Sequence, residues 1–274
     1  MSTVATAPRL APAAAKALAA ERFGLAGEVE GLPSERDLNF LLTTPEGRKF
    51  VLKVANPAED RTVLELQNEV LLHLGRREGP ALCPRVIPDR EGRTIAEGRD
   101  EAGNSVAIRL VSYIEGRPLA EVRPHSPELL ADLGRFVGRL TAGLEGFDHP
   151  AARREFLWEP MTGPAVVRRF RGLILAPDRR ALLDGLLAMV ENTAGPRMAA
   201  LPKSVIHNDA NDYNVIVAPP DRRRESFGEL RVAGVIDFGD MVYSATLADL
   251  AVAVAYAMLG QDDPLAAAAS VAAG

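Results

Sequence analysis

Eight residues, His207 to Asn214, stand between two short β-branched runs, Val205-Ile206 and Val215-Ile216-Val217. They include a histidine, two aspartates and three asparagines, "HNDANDYN". Apolar strands on both sides pin such a loop at its ends, so the polar side chains must be held over a core rather than left as a free connection. In a loop fixed this way the carboxylate of Asp209 can take a proton from an attacking hydroxyl. The amide oxygen of Asn214, five residues on, can bind Mg²⁺ without adding charge. Taken alone, the segment also reads as a solvated turn. His207 is expected to hydrogen-bond the loop backbone from behind and hold Asp209 in place, rather than to act as base or metal ligand.

The chain around this loop changes pattern once. From about residue 20 to 115 it is strand-like with one helix: "LNFLLTT" and "KFVLKVA" flank the turn "PEGR", and in "TVLELQNEVLLHLGRR" Val63, Leu66, Val70 and Leu74 recur at helical spacing, with Gly79 and Pro80 as the stop. "AIRLVSYIEG" reads as another buried strand and runs into "GRPL", a hinge. After it, "SPELLADLGRFVGRLTAGLEGF" has Ser126 to cap, Pro127 to start, and Leu129, Leu133, Phe136, Val137, Leu140 and Leu144 on one face. Helical pattern continues over 164–193, and short strands return at 204–217 and 230–237. The expected organisation is therefore α+β and bilobal: a β-rich lobe over 1–112, a hinge at 113–118 and a larger helical lobe over 119–274.

Bulk properties narrow the partners. At 274 residues the chain suits one large domain or two lobes, and a net charge of −5 supplies no broad basic field for nucleic acid or an anionic membrane. Cys83, the one cysteine, excludes an internal disulfide and a cysteine-built metal site, and fits a cytoplasmic location. The alanine-rich N-terminus lacks the apolar core of a secretory signal and reads as a helix. "TLADLAVAVAYAML" is too short for a membrane span, carries Asp249, and reads as a buried helix. At the far end Asp263 and Pro264 open a helix whose pattern stops midway, so a longer parent protein is expected.

Two further elements carry charge into apolar sequence. Lys53 lies in "FVLKVA" with apolar residues at 50, 51, 52, 54 and 55, which reads as a strand buried on both faces. An ammonium there needs a partner, and the next helix offers Glu69, with Glu65 as the rival; such a pair would aim the ammonium at a neighbouring anion such as a phosphate. The other reading of Lys53 is an edge-strand lysine reaching to water. In "VAGVIDFGD" a short buried strand delivers Asp237, followed by Gly239 and by Asp240. Asp237 and Asn214 suit Mg²⁺, which takes oxygen ligands and few carboxylates. Trp158, in "EFLWEP", is read as packing between helices in preference to covering a substrate.

A strand lysine, a helix glutamate, a His-x-Asp-x4-Asn loop and an Asp-Phe-Gly follow one another as in protein kinases. Over about residues 20 to 260 the chain resembles the aminoglycoside phosphotransferase family of kinase-like small-molecule kinases. "GLPSERDLNFLL" and "IHNDANDYNVIV" are similar to its hydroxylysine kinase-like branch, which includes forms fused to a class III, pyridoxal-phosphate-dependent aminotransferase-like domain. The resemblance implies that Lys53 contacts the phosphates of ATP or GTP, that Glu69 orients Lys53, that Asp209 is the base, and that Asn214 and Asp237 hold Mg²⁺. It also implies a small amine-bearing metabolite as phosphate acceptor. Asp212, Asp240 and Glu159 are candidates for its ammonium, from charge and sequence proximity. Two departures stand out: Asn208 replaces the glycine common between the histidine and the aspartate, and the last helices of the substrate lobe are missing. No Gly-rich loop covers the first hairpin, so Ser34 and the backbone amides between Ser34 and Asn39 would approach the phosphates, while Arg36 and Asp37 read equally well as a solvated turn.

Two rival readings remain open at this point. One is a noncatalytic nucleotide-binding module that regulates a larger enzyme. The other is a metal-dependent hydrolase with His207, Asp209, Asp237 and Asp240 as ligands, which leaves Lys53 without a purpose.

Overall fold

The structure, a computed structural model, describes residues 8–34, 37–77, 82–219 and 230–274. They form two compact units: the residues up to Arg117 together with Ala233–Gly239, and Pro118–Val232 together with Asp240–Gly274. Among the described residues no helix is long and apolar enough to cross a membrane.

In the first unit the alanine-rich start forms α1 (Pro12–Leu18), which widens into a π-helical turn over Ala19–Phe23 and stops at Gly24, φ 70°. Next come β1 (Glu28–Leu32), β2 (Leu38–Thr43), β3 (Lys49–Val54), α2 (Arg61–Arg77), β4 (Val86–Ile87), β5 (Ala96–Arg99) and β6 (Ser105–Ser112). The strands form one antiparallel sheet in the order β1-β2-β3-β6-β4, with β5 also on β6. The β2–β3 turn closes as the sequence implies, with Gly47 at φ 79° and its N–H donated to Thr44 O. Val63, Leu66, Val70 and Leu74 of α2 are all buried, and the stop expected at Gly79 and Pro80 lies outside the described residues.

β3 departs from expectation. It is not buried on both faces but alternates, with Phe50, Leu52 and Val54 buried and Lys49, Val51 and Lys53 half-buried. The buried face joins a core of Ala15, Ala19, Phe23, Phe40, Leu42 and Ile108. Lys53 therefore sits on the opposite face, where a charge is tolerated.

β7 (Arg117–Pro118) ends the first stretch of chain. In the second unit α3 (Pro127–Gly143) starts as the sequence implies: Ser126 Oγ accepts Leu129 N–H at 3.2 Å, and the six apolar residues expected on one face are buried. The helical pattern over 164–193 becomes α4 (Gly163–Phe170) and α5 (Pro177–Met189), followed by α6 (Gly195–Ala199). Neither α4 nor α5 buries any residue, and Leu175 and Leu182 are 83% and 66% exposed. β8 (Lys203–Ile206) and β9 (Val215–Ala218) flank the polar loop, and β10 (Arg231–Val235) precedes Asp237. β11 (Val242–Ala245), too short to stand out in the sequence, pairs antiparallel with β8.

α7 (Ala248–Met258) and α8 (Pro264–Ala273) complete the unit. α7 was expected to be buried and is so on one side only, through Ala248, Asp249, Ala253 and Ala257, while Tyr256 is 37% exposed. Asp263 caps α8 by accepting Ala266 N–H. α3 and α8 approach so closely that a Cβ on Gly134 would stand 1.9 Å from Val271 O.

Candidate functional site

The loop between β8 and β9 is rigid by its own hydrogen bonds. Asn211 Nδ2 donates to Asp209 Oδ1 at 2.9 Å, and Asn214 Nδ2 donates to Asp209 Oδ2 at 2.7 Å and to Asp209 O at 3.0 Å. Asn211 Oδ1 accepts the N–H groups of Tyr213 and Asn214, an Asx-turn that carries the chain into β9. The polar residues are thus spent on one another, and both oxygens of the half-buried Asp209 are fixed in direction. With Nδ2 of Asn214 turned toward Asp209, its amide oxygen is left as the acceptor. His207 is fully buried and its Nδ1 accepts Asp209 N–H at 3.2 Å, as a residue supporting the loop from behind would.

Asn208 has φ 69°, in the left-handed region where glycine is at ease and asparagine is the best tolerated side chain. An asparagine can therefore stand here where the resemblance led to the expectation of a glycine. Its side chain also bridges two backbone carbonyls, donating to Asp240 O at 3.2 Å and Trp158 O at 3.4 Å.

Beneath the loop lies Asp249, which sequence reasoning did not select. It is 1% exposed and accepts the N–H groups of Asn208 at 2.7 Å and His207 at 3.1 Å. The signal was present: a lone carboxylate in an apolar helix needs a partner. Burial pushes its carboxyl up to about 6, against the two N–H donors that pull it down. Because the folded value exceeds the ordinary 3.8, the stability this group contributes is fully present below that value and is lost as pH rises through about 6. Comparing denaturant unfolding of the wild type with D249N, whose amide does not titrate, the difference in stability should shift by about 2 kcal/mol against the wild type between pH 4 and pH 7. A pH-independent difference would mean that Asp249 does not titrate in that window.

The three residues considered for a substrate ammonium fare differently. Asp212 is 8% exposed, its Oδ2 lies 3.8 Å from Arg123 Nη2, and its carbonyl accepts Ala120 N–H, so it braces the loop instead of facing solvent. Glu159 is half-buried and accepts the hydroxyl of Ser244. Asp240 is half-buried, joined to Asn208 through its carbonyl. Trp158, expected to pack between helices, is 68% exposed beside this group.

In the first unit, Lys53 Nζ lies 4.0 Å from Asp237 Oδ1, with side-chain exposures of 16% and 56%. Burial lowers the Lys53 pKa, Asp237 opposes that shift, and Arg109 adds to it. Asp237 has φ 61°, and its Oδ1 accepts Gly239 N–H at 3.2 Å, so the glycine after Phe238 closes a tight turn around the carboxylate. The strand before it is tied down by Val235 N–H, which donates to Leu82 O at 2.9 Å. Lys53 was expected to meet Glu69. The carboxylate it faces is Asp237, while Glu69 lies on the exposed side of α2, because the helix turns Gln67 and Asn68 inward instead. Ser34 is exposed, and Glu35 and Arg36, within the segment expected to approach phosphates, lie outside the described residues.

Among the described residues no three histidine, cysteine, aspartate or glutamate side chains are grouped so as to hold a metal ion. His207 is buried and its Nδ1 is taken up by the Asp209 N–H, which tells against it as a ligand in the hydrolase reading. Asp237 offers a carboxylate and Asn214 an amide oxygen, each by itself a hard oxygen donor.

Comparison with known proteins gives the family and the fold. The family model "Phosphotransferase enzyme family" (APH) matches residues 28–274. A hydroxylysine kinase of Mus musculus is 28% identical over 282 residues, covering 96% of this chain and 73% of that protein. Among solved structures, the amicoumacin kinase hAmiN, in complex with AMP-PNP, Ca2+ and Ami, has a TM-score of 0.66 at 15% identity over 92% of this chain and 73% of its own. A microcompartment-associated aminopropanol kinase has a TM-score of 0.62 at 20% identity over 86% and 72%. These likenesses show the α+β, protein-kinase-like fold expected from the sequence.

Proposed function

We infer, from the premise that this chain belongs to the APH phosphotransferase enzyme family and is a small-molecule kinase acting on hydroxyl groups, that its acceptor is a small amine-bearing metabolite of the hydroxylysine type. The observation that carries the chemistry is the fixed carboxylate of Asp209. With Asn211 and Asn214 directing its oxygens, Asp209 orients the acceptor hydroxyl and takes its proton as that oxygen bonds to the γ-phosphorus and the bond to the β-phosphate oxygen breaks. Lys53 offsets charge on the phosphates of ATP or GTP, and Asp237 and Asn214 are the oxygen donors for Mg²⁺. When bound, the ion supplies neutralisation of the phosphate charge.

Support for an amine-bearing acceptor comes from the name of the murine relative and from the two acids, Glu159 and Asp240, tied to the Asp209 loop through Asn208 and its neighbours. Asp212 is not part of this proposal, because it is buried against Arg123. A cytoplasmic location follows from the nucleotide co-substrate and the single buried cysteine, whose thiol is pushed up to about 12 by burial.

The test is nucleotide consumption with ATP and with GTP against hydroxylysine, ethanolamine, homoserine, choline and an aminoglycoside. Greatest turnover with hydroxylysine supports the acceptor, and turnover confined to the aminoglycoside overturns it. Nucleotide binding without consumption of any acceptor would point to the noncatalytic module.

A further inference from the structure

Opposite Lys53 on the next strand stands an arginine that packing alone does not explain. The register of the sheet places Asn39, Lys53 and Arg109 side by side across β2, β3 and β6, and directly opposed residues of antiparallel strands project from the same face. This row has two positive charges and no carboxylate. Arg109 is 2% exposed, and among the described residues its guanidinium donates only to neutral oxygens: Nη2 to Gln67 Oε1 at 2.6 Å and Nη1 to Asn68 Oδ1 at 3.2 Å. Arg109 Nε and Asn39 Oδ1 are buried with no hydrogen-bond partner among the described residues.

Like charges directly opposed destabilise a sheet, and a guanidinium held away from water without a carboxylate is expensive. A methionine of similar bulk would fill the gap between β6 and α2 without either penalty. A use for the charge lies close by. Gln67, gripped by Arg109, sets its Nε2 3.9 Å from where a Cβ on Gly239 would stand, and Gly239 N–H holds Asp237 Oδ1. Asp237 by itself would neutralise Lys53. Arg109 leaves the row positive, with Asp37, Asp237 and Glu59 acting on it only through space.

We propose that Arg109 is a positioning residue for the nucleotide's phosphates: through Gln67, beside Gly239, it sets the placing of Asp237, and its permanent charge in the row with Lys53 keeps that pair electropositive toward a polyphosphate. This rests on the phosphate role given to Lys53 above.

Equilibrium binding of ADP and of adenosine, with GDP and guanosine in parallel, is measured on the wild type, R109M and Q67L, together with melting temperature and steady-state kinetics. R109M should bind the diphosphate about tenfold more weakly and the nucleoside unchanged, with KM rising for the nucleotide but not for the acceptor. Q67L, which keeps the charge but loses the grip, should weaken the diphosphate by a smaller factor. R109K should recover part of the R109M loss. Unchanged diphosphate affinity in R109M, or equal losses for diphosphate and nucleoside, overturns the proposal. If R109M does not fold, Q67L decides: wild-type diphosphate affinity there overturns it. A wild-type protein that binds neither nucleotide removes the kinase reading and this proposal with it. A wild type that binds beside an indifferent R109M removes this proposal alone.

Discussion

Replacing Asp209 by asparagine lowers turnover by about 10²–10⁴-fold, while nucleotide affinity stays within about twofold. The expectation separates geometry from basicity. Asparagine has the shape of aspartate, and one oxygen remains to accept from Asn211 or Asn214, so the loop between β8 and β9 keeps its course. What disappears is a group able to take the hydroxyl proton. Turnover is read by coupled detection of nucleoside diphosphate and affinity by calorimetry. A D209N protein that turns over near the wild-type rate would show that another group serves as base.

The second large effect is expected at Lys53. K53M should lower kcat/KM for the nucleotide by about 10²–10³-fold, the usual loss when one preorganised positive donor is removed from a developing charge. Stability should not suffer, because the ammonium is desolvated in the fold and its removal relieves that penalty. Asp237 is 56% exposed, so water can take the place of its lost neighbour. The signature is thus a kinetically crippled enzyme with an unchanged or higher melting temperature. A K53M protein with wild-type kcat/KM would remove Lys53 from the phosphate chemistry.

Features set by neighbours in the chain were legible before any coordinates. Ser126 and Pro127 announced the start of α3, Asp263 and Pro264 that of α8, and Gly47 the first hairpin, because each is a local backbone requirement met by few residue types. His207 was legible for the same reason, since its ring reaches only two residues along to Asp209 N–H. Features decided at long range were not. Asp249 reaches the loop from 42 residues away, and its place in an apolar helix was read only as an argument against a membrane span. Arg109 was passed over inside a run of apolar strand residues, although a charge there demands a partner as Lys53 does. The one-sided burial of β3 and the exposure of Trp158 were missed alike, because burial depends on what other elements cover and not on the pattern of the segment itself.

The grouping of Ala233–Gly239 with the residues up to Arg117 has a consequence for dissection of the gene. A fragment stopped at Arg117 would look like a natural unit on a linear map, yet it would lack the strand whose Val235 N–H meets Leu82 and the carboxylate that faces Lys53. Its ammonium would be stranded, and a backbone acceptor would be bared. Splitting this protein into two expressible halves therefore calls for supplying the 233–239 segment as a separate peptide, since no single cut yields both units whole.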